Sequence, residues 1–326
     1  MTLPLPISLS DIQQAAERLE GHAVRTPLLE CDALNALCGG RVLIKAEVLQ
    51  RTGSFKFRGA FNKLLSLDSQ ERQRGVLAFS SGNHAQGVAC AARMLGVQAT
   101  IVMPADAPQI KILRTREYGA RVVLYDRYKD DREAIAAQLA SESGAITVKP
   151  FDDPLIMAGQ GTAGLEITQQ TDASLDLLLT PCGGGGLIAG VGTAVKAYHP
   201  SVEIYAVEPL EFDDTARSLA LGERVENSPH ARSICDALLS PTPGELTFAV
   251  NRQLLAGALS VSDADARQAM AFAFEHLKLV VEPGGAVALA ALLAGKVRLE
   301  GRTAALVLSG GNVDPLDFAR YLQQQH

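Results

Sequence analysis

Lys56 lies in the stretch RTGSFKFRGA (residues 51–60), between Phe55 and Phe57, where a loop passes into a helical run opening with Arg58, Gly59 and Ala60. Taking an ammonium out of water favours its neutral form, and a neutral primary amine attacks carbonyls and removes protons from carbon. The plainer alternative is a surface lysine whose stem packs on the two rings. Three further stretches place small polar residues or glycine where a strand feeds a helix. They are FSSGNHAQG, with Ser80, Ser81, Gly82, Asn83 and His84; TPCGGGGLIAG, with Gly183, Gly184, Gly185 and Gly186 ahead of Leu187; and VLSGGNVD, with Ser309, Gly310, Gly311 and Asn312. Consecutive glycines at a helix start are entropically costly unless backbone amides must approach something closely. A phosphate suits bare N–H groups at the positive end of a helix; a tight turn without a ligand is the alternative.

A desolvated amine, an anion cradle and a polar loop together suit a phosphate-bearing aldehyde. Pyridoxal 5'-phosphate (PLP) needs an amine for a Schiff base, a cup for its phosphate and a partner for its ring nitrogen. A dinucleotide competes for the glycine loop. Gly184-Gly185-Gly186-Leu187-Ile188-Ala189 satisfies G-x-G-x-x-A, and Glu208 follows the next strand where a ribose-binding acid would stand. An NAD-dependent oxidoreductase is therefore the alternative from a different class.

The elements that must position these residues follow from hydrophobic period. Ser10 and Gln13 pattern as a capping box ahead of Ile12, Ala15, Ala16 and Leu19 at helical spacing. RVLIKAE, GVLAFSS, VQATIVMP, ARVVLYD, AITVKPF, LDLLLTPC, VEIYAVEP and TAALVLSGG read as strands. RGAFNKLLSL, HAQGVACAARMLG, DREAIAAQLASE, LIAGVGTAVKAYH and ADARQAMAFAFEHLK read as helices between them. This alternation predicts an α/β protein with mostly parallel sheets, and about nine strands favour two sheets over one. The 326 residues are 47% hydrophobic and lack Trp, which suits aliphatic cores under helices. A net charge of −6 provides no broad basic field, so neither nucleic acid nor an anionic membrane is expected as a partner. Cys31, Cys38, Cys90, Cys182 and Cys235 are odd in number and lack CxxC spacing, which argues against zinc and a disulfide framework. No apolar run approaches a membrane span, and MTLPLPISLSD lacks the basic flank and apolar centre of a signal peptide. A reducing cytoplasm is the expected setting.

KAEVLQRTGSFKFRGA, SSGNHAQGVA, PCGGGGLIAG, VEPGGAVALAALL and LSGGNVD closely resemble fold-type-II PLP enzymes of the serine/threonine dehydratase and serine racemase group. The resemblance covers nearly the whole chain. It implies a fold like the tryptophan-synthase β-subunit, with two doubly wound domains: a larger one from residues 1–52 and 148–326, and a smaller one from residues 53–147 carrying the SGNH loop. It also implies a homodimer. Lys56 would be the Schiff-base lysine and the base for the substrate α-proton. Ser81 would be the acid–base group on the opposite face, Phe55 would pack at the ring, and Asn83 would bond the phenolic oxygen. Gly183, Gly184, Gly185, Gly186 and Leu187 would hold the phosphate, and Ser309 would face the ring nitrogen. Ser54, Ser80, Gly82 and His84 would surround the substrate carboxylate; Ser80 as a helix cap and His84 as a packed residue are the alternatives.

For function, the resemblance implies dehydration and deamination of a β-hydroxy amino acid such as L-serine or L-threonine to a 2-oxo acid and ammonia. 3-Hydroxyaspartate dehydration and racemisation of serine or aspartate stand next. Arg132 matches a position where relatives grip a distal carboxylate, against the alternative of an exposed helix charge. In VEPLEFDD, the Glu208 and Asp214 carboxylates and the Phe212 carbonyl match a divalent-cation site for Mg or Ca, against the alternative of a solvated acidic turn. Relatives often carry Ala-Asp-Gly where this chain has Cys235, Asp236 and Ala237, a change expected on the substrate side along with the Glu282–Gly285 stretch. No regulatory domain is expected after FARYLQQQH.

Overall fold

The computed structural model describes residues 5–80, 82–127 and 129–324. Among them the strands are β1 (Leu28–Glu30), β2 (Arg41–Ala46), β3 (Val76–Phe79), β4 (Ala99–Pro104), β5 (Arg121–Tyr125), β6 (Ile146–Thr147), β7 (Leu177–Pro181), β8 (Glu203–Pro209), β9 (Gly257–Val261) and β10 (Thr303–Leu308). They form a six-stranded sheet in the order β1-β2-β10-β7-β8-β9 and a four-stranded sheet in the order β5-β4-β3-β6. The β1–β2 pair is antiparallel and the other pairs are parallel. Helices cover both faces, so the central strands read as nearly unbroken apolar runs; β10 is buried from Ala304 to Leu308.

Strand order decides where a ligand can enter. From β7 the chain builds outward through β8 and β9, then returns to lay β10 on the other side of β7. From β3 it builds outward through β4 and β5, then returns to lay β6 on the other side of β3. Loops leaving adjacent strands at such a reversal part in opposite directions and open a crevice at the carboxyl ends. The glycine loop leaves β7, Ser309 follows β10, residues 80–84 follow β3, and Pro150 and Phe151 follow β6. The three glycine-bearing loops singled out in the sequence each leave one of the two reversals, whereas the Lys56 stretch follows β2 and VEPLEFDD runs on from β8.

Some local expectations shift. The first helix, Leu9–Leu19, is capped by Ser8 rather than Ser10: Ser8 Oγ accepts from the Asp11 amide, and the Asp11 carboxylate takes the Ser8 amide at 2.8 Å. An ionised Asp three residues past the cap is a stronger acceptor than Gln13. The helix expected from Arg58 begins at Lys56. AITVKPF contributes only the two residues of β6 to the sheet, because the chain then turns toward the crevice. β1 and β9 escape sequence reading as short or half-exposed edge strands without an apolar run.

One buried network ties the Lys56–Leu65 helix to the larger sheet. Arg58 bonds Glu47 Oε1 at 2.8 Å and Glu166 Oε1 at 2.6 Å, and Lys45 pairs with Glu166 Oε2. Arg58 is 1% exposed and two residues from Lys56, so these charges, individually expensive to bury, act together as an anchor for the start of that helix.

Candidate active site

Lys56 and Ser309 are held against each other by backbone. The Phe55 amide donates to the Ser309 carbonyl at 3.1 Å, the Gly311 amide to the Gly53 carbonyl at 2.9 Å, and Ser54 forms an antiparallel bridge with Gly310. The sharp approach uses left-handed backbone at Thr52 and Gly53 (φ 63 and 70°). Asn312 Nδ2 donates to the Thr52 carbonyl at 2.7 Å, and a Cβ on Gly53 would meet Asn312 Oδ1 at 2.9 Å. Lys56 Nζ donates to the Pro150 carbonyl at 2.8 Å and lies 5.0 Å from the Phe55 ring centroid. Burial, with no carboxylate within ion-pair distance among the described residues, pushes its pKa down to about 8. Phe57 takes no part in this; it is fully buried against Phe61 with ring centroids 5.1 Å apart.

The glycine loop is shaped so that side chains do not fit. A Cβ on Gly184 would lie 2.3 Å from the Phe151 ring, and one on Gly186 2.9 Å from Phe151 Cβ. Gly185 has φ +91° and would meet Asn251 Nδ2 at 2.7 Å. The loop carbonyls are taken up from behind: Thr247 Oγ1 donates to Gly184 O at 2.6 Å, and Asn251 Nδ2 to Gly185 O at 3.3 Å. The first amides of the Gly186–Tyr198 helix have no intrahelical acceptor. Amide hydrogens of this kind, in one cavity with a half-buried amine, make a site for an anion whose other end carries a carbonyl.

Phe55, Lys56, Asn83, Gly183, Gly184, Gly185, Gly186, Leu187 and Ser309 all line one cavity, joined there by Ser80, His84 and Arg132. Ser54 is fully buried with an unpartnered Oγ, and neither it nor Gly82 is among the lining residues. Ser81 lies outside the described residues. Ser80 Oγ accepts from the Gly82 amide at 3.1 Å, closing a turn rather than capping the helix. His84 Nε2 meets the Val148 carbonyl at 3.0 Å, which requires the hydrogen on Nε2 and leaves Nδ1 an unpartnered acceptor. Burial, then the Lys56 charge, lowers its pKa to about 3. It is neutral and offers no positive charge to a carboxylate. The Arg132 guanidinium stacks 5.5 Å from the Phe79 centroid, and its side chain is 40% exposed beside Glu133 at 3.9 Å.

Sequence reasoning missed Lys111, Phe79, Pro150 and Phe151 on the wall. Lys111 is paired with Asp236 at 3.1 Å and Glu282 at 3.0 Å, and Glu282 also accepts from Asn83 Nδ2. A lysine on a polar helix with other basic residues around it gives no local signal. The Ala237 substitution, expected on the substrate side, does line the cavity.

Glu208 and Asp214 form a separate acidic pair at the end of β8. The Glu208 oxygens accept from the Thr215 and Ala216 amides at 2.9 and 3.0 Å, which removes Glu208 as a ribose-binding acid. Asp214 Oδ1 accepts from Asn227, while Oδ2 is buried without a partner. Burial and the Asp214 charge raise Glu208 to about 8, and burial raises Asp214 to about 6. No group of three or more His, Cys, Asp or Glu side chains suited to a metal occurs among the described residues.

Comparisons with known proteins agree with this geometry. The chain is 46% identical over 316 residues to an L-threo-3-hydroxyaspartate ammonia-lyase of a Pseudomonas species, covering 97% of this chain and 98% of that protein. It is 42% identical over 310 residues to an L-threonine ammonia-lyase of Thermotoga maritima, covering 94% and 76% respectively. Maize serine racemase superposes with a TM-score of 0.92 at 35% identity, covering 98% of each chain. The family model described as pyridoxal-phosphate dependent enzyme matches residues 19–310, nearly the whole chain, and with a half-buried lysine in the same cavity as a glycine cradle the protein belongs to that family.

Proposed function

We propose that this enzyme eliminates water and ammonia from a β-hydroxy amino acid, and that its preferred substrate carries a second carboxylate, as 3-hydroxyaspartate does. The observation that carries the reading is the single cavity lined by Lys56, the glycine loop, Asn83, Ser309 and Arg132. The residues fit PLP. Side-chain-free backbone at 183–186 and the helix amides would hold its phosphate, Lys56 would bind its aldehyde, Asn83 would bond its phenolic oxygen, and Ser309 would face its ring nitrogen. When bound, the cofactor withdraws electrons from the substrate α-carbon and so acidifies the α-hydrogen.

The protein's own groups do the rest. Lys56 Nζ, with its pKa near 8, is partly neutral at neutral pH and can take the α-proton. Ser80 and the amides opening the Asn83–Leu95 helix would receive the α-carboxylate; Ser54 is buried outside the cavity lining, and His84, being neutral, adds no charge there. Arg132, stacked on Phe79 at the cavity wall, can grip a distal carboxylate bidentately. Loss of the β-hydroxyl as water, followed by hydrolysis of the resulting imine, gives a 2-oxo acid and ammonia. Serine or threonine would use the same site without Arg132. Racemisation would need a second acid–base group, the role assigned to Ser81.

Further parts of the reading stand with it. Residues 53–147 would form a smaller domain that closes on substrate and excludes water. A magnesium or calcium ion would be held by Glu208, Asp214 and the Phe212 carbonyl, favoured by the unpartnered buried Asp214 Oδ2. The five free cysteines fit a reducing cytoplasm, and no helix among the described residues is long and apolar enough to cross a membrane. Two copies would form the working unit.

The test is direct. Purified protein with PLP should show a visible band that shifts on borohydride reduction and is absent in Lys56→Ala. Oxo-acid release should be fastest from a 3-hydroxyaspartate diastereomer in a panel with L- and D-serine and threonine. Full turnover by Lys56→Ala would end the proposal.

A further inference from the structure

Lys111 belongs to none of the stretches to which the chemistry was assigned, yet it lines the cavity at 1% exposure. It lies on the Gln109–Glu117 helix, between β4 and β5 in the chain. Its partners come from far along the sequence: Glu282 Oε2 at 3.0 Å and Asp236 Oδ2 at 3.1 Å. The same helix end is docked again where the Ile110 amide donates to Asp314 Oδ1 at 3.3 Å. Burial works against the Lys111 charge, but the Glu282 and Asp236 carboxylates outweigh it and hold the pKa above the usual lysine value.

Two observations connect this lysine to the site. A Cβ on Gly82 would lie 2.1 Å from Lys111 Cδ and 3.1 Å from its Nζ, so the lysine stem occupies the space a side chain at 82 would need. Glycine in the SGNH turn and the lysine behind it are a fitted pair. Glu282 also uses its second oxygen, Oε1, to accept from Asn83 Nδ2, while Asn83 Oδ1 accepts from Asn312 Nδ2 at 2.9 Å. Both ends of the Asn83 carboxamide are thereby fixed, leaving one Nδ2 hydrogen uncommitted to Glu282. A buried cation between two carboxylates is seldom worth more stability than apolar residues of the same volume. Its value here is orientation.

We propose that Lys111 is a positioning residue: it clasps the turn at Gly82 and Asn83 to Glu282 and Asp236 and, through Glu282, sets the Asn83 carboxamide so that an N–H remains for the cavity. The consequence for turnover rests on reading the cavity as the PLP site; the clasp itself does not.

The variants are Lys111→Met, Glu282→Gln and the double variant. The first readout uses cofactor-free protein. Amide hydrogen exchange over residues 82–90 is expected to speed by about tenfold or more in Lys111→Met, with β7 and β10 unchanged. The two single changes should not add in the double variant, because both cut one chain of contacts. With PLP bound, kcat should fall on the order of a hundredfold while the cofactor band persists, as a misplaced contact group predicts. Exchange over 82–90 within twofold of the wild type, or fully additive single effects, overturns the clasp. Were Lys111→Met unable to fold, Glu282→Gln and Asp236→Asn each leave the lysine one partner and report on the same segment. Absence of any PLP band in the wild type would instead sink the cofactor reading, with the exchange result still deciding the clasp.

Discussion

Gly184→Ala tests the cradle at its tightest point. The added Cβ would lie 2.3 Å from the Phe151 ring, whereas ordinary contact begins at 3.4 Å, so ring or loop must retreat by 1.1 Å. Phe151 is itself on the cavity wall and cannot move without changing it. Overpacking of this kind costs about 1–3 kcal/mol. If that strain falls on the cofactor-bound arrangement, PLP affinity should drop about 5- to 150-fold. The helix that follows the loop supplies a control. A Cβ on Gly192 would meet Ile204 Cδ1 at 3.4 Å and Leu254 Cδ1 at 3.6 Å, ordinary contacts within the Gly186–Tyr198 helix. Gly192→Ala should stabilise the protein by about 0.5–1 kcal/mol, raise Tm by about 1–3 °C, and leave PLP affinity unchanged. The assay is a PLP titration of cofactor-free protein followed by absorbance, with Tm measured alongside. Wild-type affinity and Tm in Gly184→Ala would refute the reasoning, as would equal damage from the two substitutions.

Lys56 makes stability depend on pH in a stated direction. Its folded pKa is near 8 against an unperturbed 10.5, so between these values the unfolded chain binds more protons and stability rises with pH. Cofactor-free Lys56→Met should therefore melt above the wild type at pH 7, where the burial cost is full. The gap should close between pH 8 and 10.5, and a gap independent of pH would contradict a desolvated amine. Chelation should lower the wild-type Tm, and magnesium or calcium should restore it; Asp214→Asn should respond to neither, and an unresponsive wild type would remove the cation. Arg132→Ala should raise KM for 3-hydroxyaspartate by about 10- to 100-fold, the worth of a charge-assisted contact. Its KM for threonine should hardly move, and equal losses on both substrates would reduce Arg132 to a structural residue.

How much of this was legible in the sequence depended on whether a residue's role is local. The glycine cradle and the SGNH turn were readable because backbone that must stay bare or turn sharply is written in consecutive residues. Phe55 and Lys56 were readable as a pair for the same reason. The helical spacing of Ile12, Ala15, Ala16 and Leu19 was readable too, yet the cap was misplaced by two residues because Ser8 and Ser10 compete and only the Asp11 carboxylate decides between them. Lys111 was invisible, since its partners lie 125 and 171 residues away. The Arg58 anchor was hidden likewise, because Glu166 is 108 residues on and nothing nearby marks Arg58 as buried. Long-range charge pairing leaves no spacing to read.

Chain order nevertheless explains why the local signals belong together. Each sheet reverses its build direction once beside the cavity, β10 returning next to β7 and β6 next to β3. Each reversal parts two loops, which makes four, and all four reach the cavity: the glycine loop and Ser309 from one sheet, Ser80, Asn83 and His84 and the Pro150–Phe151 corner from the other. The two sets are fastened by contacts that cross between them, Lys56 to the Pro150 carbonyl, Phe151 against Gly184 and Gly186, and Lys111 to Glu282 and Asp236. A site assembled this way tolerates change in the outer strands far better than in any crossing contact. β9 and β5, each an edge strand two places from the reversal of its sheet, should accept surface substitutions within about 0.5 kcal/mol, whereas a single Cβ at Gly184 should be felt in cofactor affinity.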